Sequence, residues 1–151
     1  MKAVIQRVKR ASVKADGVLT GEIEQGFAVL LGVEKGDDDK DAEILADKIW
    51  GLRVFTDEND KMNLSLEAVG GQVLVVSNFT LCADCSHGRR PNFFGAAPPD
   101  EADRLYEHFI FCLKNAGVSK LACGVFGADM ELEITNDGPV TIILDSRELK
   151  K

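Results

Sequence analysis

Apolar positions along this chain follow two rhythms: short runs of strand type, and two longer stretches that repeat every three to four residues. Residues 2–9 and 11–15 have strand character, Gly17 marks a turn, and 18–23 reads as the next strand. The run 27–33 is apolar and bounded by Gly26 and Gly36, short enough for a buried strand. An amphipathic helix is predicted over about 39–51, with Ala42, Leu45, Ala46 and Ile49 on one face. Asp38 or Asp39 can cap its start, and the acids of its first turn suit the helix dipole. Residues 52–56 read as another strand before a polar turn at 57–60, and after Gly70-Gly71 the Val/Leu-rich segment 72–77 is predicted to be a central strand. A long loop over 82–97 ends at Pro98-Pro99, which introduces a second helix to about residue 116, closed by Gly117. Its apolar positions are Ala102, Leu105, Phe109, Cys112, Leu113 and Ala116. Met130, Leu132 and Ile134 alternate with Glu131 and Glu133 as in a half-exposed strand; Asn136-Asp137-Gly138 reads as a turn and 140–144 as the last strand.

The sum is a mixed α/β fold, read as a single compact domain over residues 1–151. Two helices cover only one sheet face, so the expected architecture is a layered β/β/α sandwich, or barrel-like sheets with the two long helices on one face. A chain of 151 residues buries enough surface for a core without covalent staples. No apolar run approaches the ~20 residues of a membrane span. The start, Met1-Lys2-Ala3-Val4-Ile5-Gln6-Arg7, reads as a strand and not as a signal peptide, so the cytoplasm is the expected compartment. A net charge of −7 argues against nonspecific coating of nucleic acid, but not against a local basic patch that grips an RNA end. Acid concentrates over 37–47, whereas Arg7, Lys9, Arg10, Lys14 and the pair Arg89-Arg90 are basic.

Candidate chemistry is sparse. No G-x-x-x-x-G-K-[ST], G-x-G-x-x-G or G-x-S-x-G occurs. Of the two histidines, His87 and His108, the second falls mid-helix and reads as a satisfied surface residue, not as a triad base. Cys82-x-x-Cys85-x-His87 has the spacing of three zinc ligands, with Cys112 or Cys123 as a fourth, but no second pair accompanies it. Free loop thiols are the simpler reading, and no metal is expected. Ser77-Asn78-Phe79-Thr80-Leu81 carries two hydroxyls, an amide and an aromatic where an apolar strand would end. Read alone, it is equally a strand running on through Leu81, with no base in view to activate Thr80. Asn136-Asp137-Gly138-Pro139-Val140-Thr141, read alone, is a turn feeding a strand. Its Gly-Pro bond is then expected trans, since cis makes up only ~5–6% of X-Pro bonds.

Those two segments, with Gly88-Arg89-Arg90-Pro91 between them, together resemble the bacterial D-aminoacyl-tRNA deacylase (D-tyrosyl-tRNA deacylase) family. The likeness runs nearly end to end, through Val4-Ile5-Gln6-Arg7-Val8, Arg10-Ala11-Ser12-Val13, Leu31-Gly32-Val33, Lys61-Met62-Asn63-Leu64, Leu105-Tyr106 and Phe126-Gly127-Ala128-Asp129-Met130. One position departs: the family's Ser-Gln-Phe-Thr-Leu carries Asn78 here, which keeps the amide on a side chain one methylene shorter.

The resemblance implies a hydrolase of translation quality control that cleaves the ester of D-aminoacyl-tRNA, without a cofactor. It implies a homodimer in which Gly138-Pro139, with its peptide bond cis, enters the partner's site and holds the substrate ammonium by its carbonyls. An L-residue held that way pushes its side chain into the wall, whereas glycine has nothing to clash, so glycyl-tRNA is expected to be a substrate too. Ser77, Asn78, Phe79 and Thr80 would form the catalytic segment, with amides near Phe79-Thr80 as oxyanion donors and the terminal ribose 2′-hydroxyl of the tRNA assisting. Met130, Asn136, Val140 and Thr141 would line the substrate pocket. Arg7, Lys9, Arg10, Arg89 and Arg90 are expected to meet phosphates of the acceptor end, with Phe79 or Phe93 available for stacking. Two rivals fit the same residues: an editing enzyme for L-alanyl-tRNA on the same fold, and a catalytically silent tRNA-binding module.

Overall fold

In the computed structural model, which describes residues 1–150, the chain opens with one long strand where the pattern predicts two. Strand β1 (Lys2–Ala15) buries Ala3 and Ile5, then shifts phase so that Val8, Ala11 and Val13 face the other way. That shift is why the alternation breaks near residue 9. Asp16 and Gly17, both with positive φ, form the two-residue turn into β2 (Val18–Ile23), the geometry that a tight antiparallel hairpin favours. Strand β3 (Gly26–Gly32) pairs antiparallel with the first half of β1.

Helix α1 (Asp39–Gly51) begins at Asp38, whose carboxylate accepts from the Lys40 and Asp41 amides while Asp41 reaches back to the Asp38 amide. It buries the predicted Ala42, Leu45, Ala46 and Ile49. The expected strand at 52–56 shrinks to β4 (Phe55–Thr56), which pairs with β5 (Met62–Leu64) in a small separate ribbon. A short α2 (Leu66–Val69) leads to β6 (Gln72–Ser77), parallel to β3. Helix α3 (Pro99–Ala116), closed by Gly117, crosses to β7 (Leu121–Cys123), parallel to β6. Tyr106 and Ile110 join its buried face, while Ala116, expected there, is exposed. The last strand, β8 (Met130–Asp145), runs along the whole of β1 before α4 (Ser146–Leu149).

The main sheet has the order β2-β1-β3-β6-β7, with β8 on the other edge of β1. Strand β2 curls back against β7, where a Cβ on Gly21 would stand 3.0 Å from the Ala122 Cβ, so the sheet nearly closes into a barrel. Alternate residues of β3 and β6 serve two cores. Phe27, Val29, Leu31, Val73 and Val75 face the helices, while Ala28, Leu74 and Val76 face a second cluster with Val8, Val13 and Ile23. Burial on both sides explains why these two strands read as unbroken apolar runs.

Asp41 ties α1 to α4. Burial works against its charge, but the Ser146 hydroxyl at 2.6 Å, the Asp38 amide at 2.8 Å and the Lys150 ammonium at 2.9 Å outweigh it and hold the carboxyl far below the usual range. A depressed folded-state pKa contributes stability that is present above the unfolded value of ~3.9 and is lost as pH falls toward the folded one. Denaturant titrations are therefore expected to show stability dropping below pH ~4. Asp41→Asn should lower stability at pH 7 and flatten that acid limb; identical limbs in the two proteins would count against this carboxylate.

Candidate active site

Strand β6 does not continue through Leu81. It ends at Ser77, the Asn78 amide donates to the Leu31 carbonyl at 2.8 Å, and Phe79–Cys82 winds into a 3₁₀ turn. Gly32 makes this possible: a Cβ there would stand 2.9 Å from the Leu81 Cβ and 3.1 Å from the Asn78 carbonyl oxygen. Among the described residues the Phe79 and Thr80 amides meet no acceptor, as expected for the first donors of a helical turn. The Thr80 hydroxyl donates to the Asn78 side-chain oxygen at 2.5 Å. An amide oxygen is no base, so this contact orients Thr80 without activating it. The shorter Asn78 thus spends its carbonyl on its neighbour.

Beside the turn lies a cavity of about 740 Å³ at the carboxyl ends of β3 and β6, where ligands commonly sit in sheets with parallel strands. Ser77, Asn78, Phe79 and Thr80 form one side of it, and Met130 with Phe126 and Leu132 form much of the other. Its single titratable residue is the exposed Asp129. Met130, expected in a substrate pocket, lines this cavity, and so do Phe126, Ala128, Leu30 and Pro99, which the sequence reading does not place at a site. The signal for Phe126 was its place in the Phe126-Gly127-Ala128-Asp129-Met130 segment. Behind it stands Tyr106, its ring 5.9 Å away and its hydroxyl donating to the Val75 carbonyl at 3.2 Å. Burial pushes the Tyr106 phenol well above its ordinary pKa, so it is a neutral brace.

The Asn136-Asp137-Gly138 turn is a correction: the chain does not reverse there. Strand β8 stays paired with β1 on both sides, Val8 opposite Asn136 and Gln6 opposite Thr141, so Arg7 alone faces the bulge Asp137, Gly138, Pro139 and Val140. The Gly138-Pro139 bond is cis, as the resemblance implies and the base rate does not. Gly138 has φ +123°, and a Cβ on it would stand 3.1 Å from the Arg7 guanidinium. The Asn136 side-chain amide donates to the Arg7 and Val140 carbonyls at 2.9 and 3.2 Å, strapping the bulge shut. Thr141 donates to the Gln6 side chain. Asn136, Val140 and Thr141 thus belong to the bulge and its supports; within one chain none lines the cavity.

Arg7 is not an exposed basic side chain. Its side chain is only 8% exposed, and its guanidinium donates to the Val54 carbonyl at 2.6 Å and the Asp137 carbonyl at 3.1 Å. Those bonds make Arg7 a brace of the bulge, in surroundings far less open to solvent than a phosphate contact expects. Lys9, Arg10, Arg89 and Arg90 are exposed. Arg10 borders a groove of mixed charge, with Lys120 and the acids Glu22, Glu24 and Glu133. Arg89 and Arg90 pair with no carboxylate among the described residues. His108 Nε2 donates to the Glu43 carboxylate at 3.3 Å on the helix surface. The Cys82 thiol is buried against the Val33 carbonyl and burial raises its pKa, whereas Cys85 is exposed; no three candidate metal ligands converge among the described residues. No helix is long and apolar enough to cross a membrane.

Residues 4–145 match the family described as D-Tyr-tRNA(Tyr) deacylase. The chain is 58% identical over 145 residues to the D-aminoacyl-tRNA deacylase of Pelobacter propionicus, covering 96% of this chain and 99% of the relative. It is 54% identical over 149 residues to that of Caldicellulosiruptor saccharolyticus, covering 99% of each. Among solved structures, the c-Myc DNA Unwinding Element Binding Protein superposes with a TM-score of 0.90 at 41% identity, over 96% of this chain and 98% of that one. A probable eukaryotic D-amino acid tRNA deacylase shares the fold, with a TM-score of 0.78 at 17% identity over 95% and 97%. A match over nearly the whole length, on relatives more than half identical, makes this chain a member of the D-Tyr-tRNA(Tyr) deacylase family, hydrolases of the aminoacyl-tRNA ester bond.

Proposed function

We propose that the whole chain, residues 1–151, acts as one D-aminoacyl-tRNA deacylase domain in a cytoplasmic homodimer, hydrolysing D-aminoacyl and glycyl esters and sparing L-aminoacyl-tRNA. One observation carries the reading. Arg7 shares the helix-facing phase of Ala3 and Ile5 and braces Gly138-Pro139 there, whereas the cavity's Leu30, Val76, Met130 and Leu132 belong to the opposite core. A bulge so firmly held, exposed and outside its own chain's cavity suits use by a second subunit. Inserted there, its carbonyls would hold the substrate ammonium, with the Asp129 carboxylate adding favourable potential. The ammonium and the ester carbonyl being fixed, an L-side chain has only the wall to enter, while hydrogen and D-side chains do not.

The chemistry then needs little from side chains. Water attacks the ester carbon, and the developing oxyanion is received by the unengaged Phe79 and Thr80 amides, donors of a kind worth ~10²–10³ in rate. The proton passes by way of the neighbouring ribose hydroxyl to the departing ribose oxygen. Purified protein is expected to hydrolyse D-tyrosyl- and glycyl-tRNA but not L-tyrosyl-tRNA, with or without EDTA. Failure of a folded sample on all three would overturn the reading in favour of a binding module, with hydrolysis of L-alanyl-tRNA the check on the other rival. Thr80→Ala is expected to stay within about tenfold of wild type, because the residue has no base. A drop of ~10² or more, the least expected from losing acid–base chemistry, in a mutant that still binds tRNA would make Thr80 catalytic.

A further inference from the structure

The loop that carries Arg89 and Arg90 holds more than charge. A shallow concavity of about 620 Å³ is lined there by His87, Arg90, Pro91, Asn92, Phe93 and Phe94. The Phe94 ring is 80% exposed, in a segment with nothing frayed about it. Asp84 and Asn92 exchange backbone hydrogen bonds of 2.7 and 2.9 Å, the Asn92 side chain accepts from the Phe94 amide at 2.7 Å, and the Lys35 amide donates to the Gly95 carbonyl at 2.9 Å. The backbone is therefore fixed so as to present an aromatic face to solvent, a placement that gains nothing within the chain.

This surface joins the cavity. Phe79, which lines the cavity and is 60% exposed, meets Phe93 edge to face with centroids 5.1 Å apart. An aromatic path thus runs from the cavity mouth over Phe79 and Phe93 to Phe94, beside Arg90, which pairs with no carboxylate among the described residues.

We propose that Phe94 and Arg90 form a docking platform for the single-stranded 3′ end of the tRNA, Phe94 stacking an unpaired base and Arg90 meeting the adjoining phosphate. The proposal rests on the deacylase reading above, which places the terminal ribose at the cavity. The chemistry favours RNA over a protein partner, because unpaired bases offer π-faces at the spacing of a polyanion and the loop offers rings beside the exposed Arg90 guanidinium.

The test measures binding of an uncharged acceptor minihelix with its single-stranded 3′ tail, against the same minihelix without the tail. Phe94→Ala is expected to weaken binding of the tailed form roughly 5- to 100-fold, the range for one lost base–aromatic stack, and to leave the tail-less form unchanged. KM for D-tyrosyl-tRNA should rise in step, while hydrolysis of 3′-O-D-tyrosyl-adenosine, which ends before the platform, keeps its wild-type kcat. An unchanged Kd for the tailed minihelix overturns the platform, whatever the deacylation results. Dissociation of the protein into smaller species in Phe94→Ala overturns it too, in favour of a contact between copies of the chain. Phe94-dependent tail binding by a protein that hydrolyses no ester upholds the platform and sinks the deacylase reading instead.

Discussion

Arg7→Ala is expected to cost about 3–5 kcal/mol of stability and to lower kcat/KM for D-aminoacyl-tRNA on the order of 10²-fold or more. The stability loss follows from what the guanidinium holds. The buried Val54 carbonyl would be left without this donor, at about 1–3 kcal/mol, the part-buried Asp137 carbonyl would lose its own at a smaller cost, and a cavity would replace the side chain. The activity loss follows from the bulge. Arg7 is the only residue of β1 opposite Asp137 to Val140, so without it the segment that would meet the partner's substrate is no longer held in place. A displacement of about 1 Å in a positioning group is enough for a hundredfold loss. Arg7→Lys supplies the control. An ammonium keeps the charge but not the planar fork that reaches two carbonyls at once, so it should recover part of the stability and little of the activity. Urea titration and single-turnover deacylation of the three proteins read both effects. Full activity at saturating tRNA, with only affinity and its salt slope reduced, would return Arg7 to the role of a phosphate contact.

Gly26→Ala should be the most damaging single methyl group in the protein. A Cβ on Gly26 would lie 1.7 Å from the Gln72 carbonyl oxygen and 2.6 Å from the Gln72 nitrogen. Both are backbone atoms, and neither can move without opening the first pair of the parallel β3–β6 ladder, Gly26 opposite Gln72. The Gln72 amide also donates to the Gln25 carbonyl at 2.9 Å and its side chain accepts from the Glu24 amide at 2.8 Å, so the approach is tied on both sides. Because β3 and β6 are shared by both cores, the misfit reaches the helix layer and the cavity together. A loss of at least about 4 kcal/mol is expected, from a total that for domains of this size is only ~5–15 kcal/mol. Thermal unfolding at fixed protein concentration should show the midpoint falling by about 8–16 °C, if the variant is recovered folded at all. A fall of a degree or two would mean that the two backbones are not in this close contact.

Much of the scaffold was legible because it is written in local rhythm. The apolar face of α1, the caps at Asp38 and Gly117 and the run of β6 each follow from neighbours a few residues apart. The two-sided burial of β3 and β6 also shows, as runs without alternation. Small units such as β5, β7 and α2 escaped, since three or four residues carry too little pattern to stand out. The segment Ser77 to Thr80 drew notice through its residue types, yet its conformation did not: the turn depends on the room that Gly32 leaves in another strand.

By itself, then, the sequence determined the layered α/β plan, the cluster of hydroxyl, amide and aromatic groups at the end of β6 and, through its ordered motifs, the family. The tertiary structure alone decided that Arg7 is buried, that Asn136 to Val140 is a bulge in an unbroken strand and not a turn, and that the bulge and the cavity belong to opposite faces of the sheet. The physical reason is distance along the chain. Periodicity records which way a side chain points relative to its neighbours, but Arg7 meets Asp137 130 residues away, and no local pattern encodes which carbonyls a guanidinium finds once β1 and β8 are paired.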